Sequence, residues 1–558
     1  MSAEQPGQVP AARRPSTGVQ ADSLTLFVLR SVLPGFIATL LVGIGAFGVG
    51  WLPLQTSLVD YSVVDALRST TLGAVVSKGA VVVGIALLIQ AWLLLGHDVM
   101  RGYVKDVRRL WLALGAWALP LMLAPPLFSR DVYSYFAQGK MMVCGISPYQ
   151  YGSSSVPGWY EDGVDPMWGE APTPYGQFWL LLSRGVVAFT GGGQPVPGRP
   201  CVEQFTGTTP YSGALVLRLL AVIGVALLAW SVPKLALAGG ISPAKALWLG
   251  VLNPLVLMHF VSGAHNDALM VGLVATGLAL AVERMPILGI ILITLGGNIK
   301  PIGLVALPFL GLIWAGSHAT KLRVLQKWLI VGAIAAVILV GFATITHTGF
   351  GWLSALSTPG AVKTWLSPPT AVGMAVGDAL ALFGFDVTDT LIEICRLLGT
   401  VATLVVLGYL CLKPQGRTPI RGAALAFFAL VALGPVVQPW YVLWSLPLFA
   451  ASGLRRNEFR VALIGIAGFT LYGLITSSST QDSLVQISDL VALFLVAIVI
   501  GVVMAASPRE RRLLLGGPDD VGLVPDDPPA RARAAMLVFR GSRATDGSSG
   551  DALGRESP

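Results

Sequence analysis

Long apolar runs separated by short connectors, with the basic residues gathered in those connectors, constrain this chain more than any other feature. A helix that crosses the hydrocarbon of a bilayer needs about 20 consecutive apolar residues, and at that length the runs leave room for about a dozen helices. Of the 558 residues, 54% are hydrophobic and only 12% are charged, whereas a soluble domain carries about 25% charged residues. That balance excludes an ordinary soluble enzyme, a small secreted disulfide scaffold and a disordered protein. The formal net charge of +8 does not point to nucleic acid. The cations form no patch and are spread over the connectors, where a membrane protein keeps its cytoplasmic charges. Membrane lipids are the expected surroundings, and no nucleic-acid partner is expected.

The connectors also set an orientation. Residues 1–30 are polar, contain Arg13, Arg14 and Arg30, and have no apolar core before Leu24. They read as a disordered cytoplasmic tail rather than a cleaved signal. Spans at 31–51 and 72–95 lead to a connector with Arg101, Lys105, Arg108 and Arg109, which the positive-inside rule places in the cytoplasm. A third span, 110–127, leads out. The clusters Lys321/Arg323/Lys327, Lys413/Arg417/Arg421, Arg455/Arg456/Arg460 and Arg509/Arg511/Arg512 all fall inside if pairs of spans separate them. The pairs are 328–346 with 390–412, 423–437 with 441–453, and 459–476 with 486–505. Segments 128–212, 347–389, 438–440 and 477–485 then lie outside, and the last two hold no Lys or Arg. Residues 506–558 read as a second disordered cytoplasmic tail, which leaves 31–505 as the transmembrane domain.

Segment 285–315 is too long for one crossing and short for two. Gly296, Gly297 and Pro301 interrupt it around Lys300. Backbone groups freed in a bilayer must be satisfied by protein or a water-lined cavity, so two short helices meeting at a break near the outer face are expected. Of the four cysteines, Cys144 and Cys201 fall in the first outer segment, where oxidation is permitted, and Cys395 and Cys411 share one span. Sequence does not decide between a Cys144–Cys201 bond and two thiols, because it does not give their separation.

The outer segment 128–212 concentrates Tyr, Trp, Pro, Gly and acids. Aromatic faces give a sugar ring apolar contact, and carboxylates accept its hydroxyl hydrogen bonds. An interfacial aromatic belt accounts for some of these rings but not for the acids among them. DVYSYFAQGKMMV and GQFWLLLSRGVVAF are short and amphipathic, as helices lying along a membrane surface are. Asp131 opens the first of them, beside Arg130, and Tyr135 and Gln138 share its helix face. A carboxylate there suits proton abstraction from an acceptor hydroxyl. An aspartate at a helix start also serves as a cap. Arg130, Tyr133, Tyr135 and Gln138 are candidate sugar ligands around it.

A second polar cluster, HFVSGAHNDALM (259–270), brings His259, His265, Asn266 and Asp267 together between two spans. Ionisable groups cost about 3 kcal/mol each at the bilayer centre and so are functional candidates. Hydrogen bonding to a sugar by His265, Asn266 and Asp267 is favoured over metal binding, for which one His pair and one Asp are weak ligands. Capping of the next helix by Asn266 or Asp267 is the structural alternative. Arg218 and Lys300 are candidate ligands for a lipid-linked phosphate, the alternative being salt bridges to nearby acids. GPVVQPWYVLWSLP (434–447) puts Gln438, Trp440 and Tyr441 at a tight outer turn, placed to close over a substrate together with WLSPP (365–369).

Taken together, SRDVYSYFAQGKMMVCGISPYQYG, GAHNDALM, NIKP and VQPWYVLW resemble the actinobacterial polyprenyl-phosphomannose-dependent α-1,6-mannosyltransferases of the MptA/MptB type. The resemblance spans roughly 30–505 and rests on four motifs in order. It implies an all-α polytopic membrane protein with a GT-C-type bundle of about 12–14 transmembrane helices. It also implies a large first outer loop with its catalytic carboxylate at Asp131. The implied donor is polyprenyl phosphate mannose and the implied acceptor a lipid-anchored mannan of the lipomannan and lipoarabinomannan backbone. Transfer would invert the anomeric carbon at the outer face of the plasma membrane, with no metal or other cofactor. One departure is Ser147, which stands where the family's NPY element has asparagine. A phosphate leaving group needs no strong acid; it needs a base for the acceptor hydroxyl and cations for the growing charge. The rival class is a transporter or lipid flippase of envelope precursors. It is favoured by the break at Lys300 and disfavoured by the long aromatic, acidic loop and the lack of a visible repeat.

Overall fold

The computed structural model describes residues 24–54, 56–191, 209–413 and 416–476. Among these residues the regular structure is helical and no strand occurs. The protein is an all-α polytopic membrane protein. Its first part runs α1 (Leu24–Val49), α2 (Thr71–Met100), α3 (Val107–Leu123), α4 (Asp131–Val143), α5 (Gln177–Phe189), α6 (Pro210–Ala238) and α7 (Pro243–Gly250). A π-helical turn, Val256–Ser262, precedes α8 (Asp267–Val282), followed by α9 (Pro286–Gly297), a 3-10 turn Pro301–Ala306, and α10 (Leu307–Ala315). The rest is α11 (Lys321–Ile345), α12 (Pro368–Ala381), α13 (Thr388–Leu412), α14 (Pro419–Leu433), a 3-10 turn Pro439–Trp444, α15 (Leu446–Ser452) and α16 (Arg456–Thr476).

Five described helices, α1, α2, α6, α11 and α13, are long and apolar enough to cross a membrane, and the bent pair Val256–Ser262 with α8 adds a sixth. The 12–14 spans expected are a whole-chain number: among the described residues some expected crossings are short helices (α3, α14) or interrupted, and the expected span 486–505 lies outside them. The expected span at 441–453 is a 3-10 turn followed by the short α15. Segment 285–315 divides at Asn298–Lys300, as its Gly and Pro predict. Val256–Ser262 and α8 meet at 111°. The first helix starts at Leu24 rather than at 31, since Leu24, Leu26 and Leu29 continue its apolar run and the exposed Arg30 can reach polar surroundings along its own stem. Residues 1–23, Cys201, the expected span 486–505, the Arg509/Arg511/Arg512 cluster and the tail 506–558 lie outside the described residues.

Two close approaches shape the core. A Cβ on Gly224 of α6 would sit 2.3 Å from the Ala268 backbone of α8, and one on Gly272 would sit 2.4 Å from Gly224 O. Small residues let helix backbones meet where lipid supplies no hydrophobic drive. In the same way Gly139 lets α4 touch α5 at Ser183 O, 2.4 Å from where a Cβ would be. Unlike the surface-lying helix expected from its sequence, α4 is buried on nearly every face. The chain from 144 to 176 folds back over it, fastened by the Lys140–Asp162 ion pair at 2.5 Å.

The basic connectors between α2 and α3, α10 and α11, α13 and α14, and α15 and α16 each lie one helix away from the segments that meet around Asp131. Three of these connectors open the next helix with a local cap: Asp106 accepts from Arg108 N, Thr320 from Arg323 N and Thr418 from Arg421 N.

Candidate active site

A cavity of about 500 Å³ opens beside Asp131, within the range of about 300–1,000 Å³ usual for small-molecule sites. Asp131, Tyr135 and Gln138 project into it from one face of α4, with Ser134 between them. Trp168 and Tyr175 come from the returning loop, Lys300 from the break between α9 and the next turn, and Gln438, Trp440 and Tyr441 from the turn before α15. Lys363 and Leu366 reach the rim.

Asp131 is the only carboxylate among the candidate residues that opens onto this space, its side chain 17% exposed. Arg130, the N-cap of α4, makes no side-chain cap bond, and Asp131 is the first helical residue. The carboxylate turns elsewhere: Trp168 Nε1 donates to Oδ1 at 3.2 Å, and Oδ2 faces His265 Nε2 at 3.7 Å. The backbone leading into it is strained. Phe128 has φ +67°, a region a bulky residue rarely adopts. Ser129 Oγ then accepts from Asp131 N at 3.0 Å. Burial pushes the Asp131 carboxyl above the ordinary carboxylate range, while positive charge on His265 or Lys300 and the Trp168 hydrogen bond act the other way.

Behind the cavity wall lies the polar bend. Asp267 is 1% exposed, and its Oδ1 accepts from Lys300 Nζ at 2.8 Å and from Trp444 Nε1 at 2.6 Å. Lys300 in turn sits 4.8 Å above the Tyr441 ring, 5.1 Å above Trp444 and 5.9 Å above Tyr175. Asn266 Oδ1 accepts from Tyr135 OH at 3.4 Å. Neither Asn266 nor Asp267 caps α8 through its side chain. Both back the cavity rather than line it, as does the fully buried His265. Direct contact between these three and a sugar, expected from sequence, is therefore not what the resting geometry offers.

Two other candidates also fall outside the lining. Arg218 is buried on α6 and donates to Met122 O (2.9 Å), Ala124 O (2.6 Å) and Ser262 O (3.0 Å). It ties the end of α3 to the polar bend instead of facing a phosphate. Tyr133 is buried and donates to Trp51 O at 2.8 Å. Arg130 does line the cavity, with Nε donating to Gly163 O at 2.7 Å and its guanidinium 4.5 Å from the Trp51 ring.

Sequence reasoning did not single out Ser134, Asp165, Trp168, Tyr175, Lys363 and Trp444. The i, i+3 spacing from Asp131 could have found Ser134; no spacing reaches the others, which come from distant segments. Ser134 Oγ, Gln138 Oε1 and Trp440 Nε1 are buried at the cavity without a hydrogen-bond partner among the described residues. Such orphans are costly unless a ligand or water satisfies them. Within the described residues no three metal-ligating His, Cys, Asp or Glu side chains converge.

Comparison with known proteins adds to this geometry. Residues 32–316 match the family model described as alpha-(1->6)-mannopyranosyltransferase, N-terminal domain, and residues 369–506 match the MptB C-terminal domain. The chain belongs to this family. A protein named "Probable alpha-(1->6)-mannopyranosyltransferase" from Mycolicibacterium smegmatis is 32% identical, covering 85% of this chain and 89% of its own. An alpha-(1->6)-mannopyranosyltransferase of Mycobacterium tuberculosis is 31% identical, covering 84% and 86%. Alpha-(1->6)-mannopyranosyltransferase A of the same organism is 33% identical, covering 79% and 83%. No solved structure matches. In this mannopyranosyltransferase-family chain, Asp131, Lys300 and the polar bend all fall in the N-terminal match, and the second match brings Gln438, Trp440 and Tyr441.

Proposed function

We propose that this protein is an inverting membrane glycosyltransferase of GT-C type. It moves mannose from polyprenyl phosphate mannose to an α-1,6-linked, lipid-anchored mannan at the outer face of the plasma membrane. The observation that carries the reading is Asp131, an ionisable carboxyl that opens onto an aromatic-walled cavity of sugar size with Lys300 on the same wall. In this reading Asp131 takes the proton of the acceptor hydroxyl, whose oxygen attacks the anomeric carbon as the bond to phosphate breaks. Lys300 and Lys363 supply positive charge for the departing phosphate. Ser134, Gln138 and Trp440 offer unspent polar atoms to sugar hydroxyls, and the rings of Trp168, Tyr175 and Tyr441 offer apolar faces. The family of named mannopyranosyltransferases supports mannose as the sugar. The basic connectors, each one helix away from the site along the chain, support an extracytoplasmic site by the positive-inside rule.

Purified protein given polyprenyl phosphate [14C]mannose and a short α-1,6-mannoside tests this. Transfer should occur, and Asp131→Asn should lower it by about 10²–10⁴-fold with melting in detergent unchanged. A fully active Asp131→Asn variant would remove Asp131 from the chemistry.

A further inference from the structure

His265 does not face the sugar cavity; it faces the base. Its Nδ1 lies 2.7 Å from His259 O. A carbonyl only accepts, so Nδ1 carries the proton and, in a neutral ring, Nε2 carries the lone pair. That Nε2 has no hydrogen-bond partner among the described residues and lies 3.7 Å from Asp131 Oδ2. An imidazolium beside an ionised carboxylate would close to about 2.7–2.9 Å; the observed gap fits a lone pair facing a charge. The ring is held in place: Trp440 lies against it at 3.8 Å between centroids and 30° between planes. The residue before it, Ala264, has φ +54°, and Phe128, three residues before Asp131, is likewise left-handed. Both partners are thus presented by backbone that only the surrounding packing can hold.

We propose that His265 is a positioning residue for Asp131, its Nε2 lone pair accepting a hydrogen bond from the carboxyl only after Asp131 has taken the acceptor's proton. This deepens the mannosyl-transfer reading and rests on it. In the step, the acceptor O–H breaks, its proton goes to Asp131 and its oxygen bonds the anomeric carbon. The bond from that carbon to phosphate breaks, with the electron pair leaving on phosphate. The new Asp131 O–H turns to His265 Nε2 by rotation about χ2 and about its own C–O bond, closing the gap. A contact made as the proton arrives, and absent before, stabilises the transition state over the ground state. The other charged or titratable groups facing the pair are His259, Lys300, Asp165 and Asp267, with Tyr135, Tyr175 and Tyr441. None of them sits between Nε2 and Oδ2 as a hydrogen-bond partner.

The sign of the effect separates the alternatives. A lone pair that accepts from protonated Asp131 raises the carboxyl's pKa, so its removal lowers it. A cationic His265 would hold the carboxyl down, so its removal would raise it. The experiment is the pH–rate profile of the full-length protein in nanodiscs, with polyprenyl phosphate mannose and a short α-1,6-mannoside. His265→Asn keeps a donor for His259 O and has no atom at the Nε2 position. It should move the acid limb about one unit to lower pH and lower the plateau kcat about tenfold, with donor KM unchanged. His265→Gln, whose amide oxygen reaches the Nε2 position, should recover part of both, and it carries the test if the Asn variant does not fold. An acid limb that stays put or moves up, or a rise in KM with kcat unchanged, overturns the proposal while leaving mannosyl transfer standing. A wild-type protein that transfers no mannose overturns the functional reading and this proposal with it.

Discussion

Lys300 and Asp267 meet across two breaks in the helical bundle, Nζ to Oδ1 at 2.8 Å, the lysine on the cavity wall and the aspartate behind it. One break ends α9 and the other precedes α8, so two interrupted helices are joined where Asp267 is buried and a single unpaired charge would be costly. Removing the lysine leaves Asp267 buried with the Trp444 hydrogen bond as its remaining side-chain partner among the described residues. Lys300→Ala is expected to cost about 3–5 kcal/mol in stability and to lower donor kcat/KM. Lys300→Ala combined with Asp267→Ala should regain stability but not activity. Melting in detergent and donor kinetics read the two effects separately.

In the proposed transfer, Asp131 works as a base only while ionised. Burial raises its pKa, so transfer should be full above that pKa and fall as pH drops through it, with the acid limb above the ~3.9 of a free aspartate. A pH–rate profile with fixed saturating donor checks this. An acid limb at or below that value would contradict the placement.

Trp168 donates to the ionised form of Asp131 and so favours it. Trp168→Phe keeps the ring and loses the donor. The acid limb should then shift upward by about one unit, opposite in sign to the shift expected for His265→Asn. Two substitutions on the two oxygens of one carboxyl should move the same limb in opposite directions.

Arg218 holds three backbone carbonyls and lies outside the cavity lining. Arg218→Met should destabilise by about 1–3 kcal/mol for each carbonyl left unpaired, while the folded fraction keeps its donor KM. A raised KM at unchanged stability would return Arg218 to the phosphate.

Cys144 is disulfide-bonded and Cys395 and Cys411 are free thiols, while Cys201 is the fourth cysteine of the chain. Non-reducing digestion should therefore yield a cross-linked peptide containing Cys144 that separates on reduction.

Much of the fold was legible because apolar run length, Gly and Pro act locally. The break around Lys300 follows from Gly296, Gly297 and Pro301 alone, and the shared face of Asp131, Tyr135 and Gln138 from helical spacing. The number of full-length crossings was not legible, because hydropathy does not distinguish an apolar helix from an apolar 3-10 turn such as Pro439–Trp444. The burial of α4 was hidden for a related reason: its cover comes from residues 144–176, a loop whose path no periodicity records.

The sequence by itself determined an all-helical membrane protein, its family, and Asp131 and Lys300 as the charged groups to watch, since charges in apolar surroundings are few and each needs a reason. Only the tertiary structure decided which charge faces what. It turned Arg218 to carbonyls, Asp267 to Lys300, and His265 to Asp131 across 134 positions of chain. Pairing of this kind depends on distances of a few ångströms between segments far apart in sequence, and spacing along the chain carries no such information.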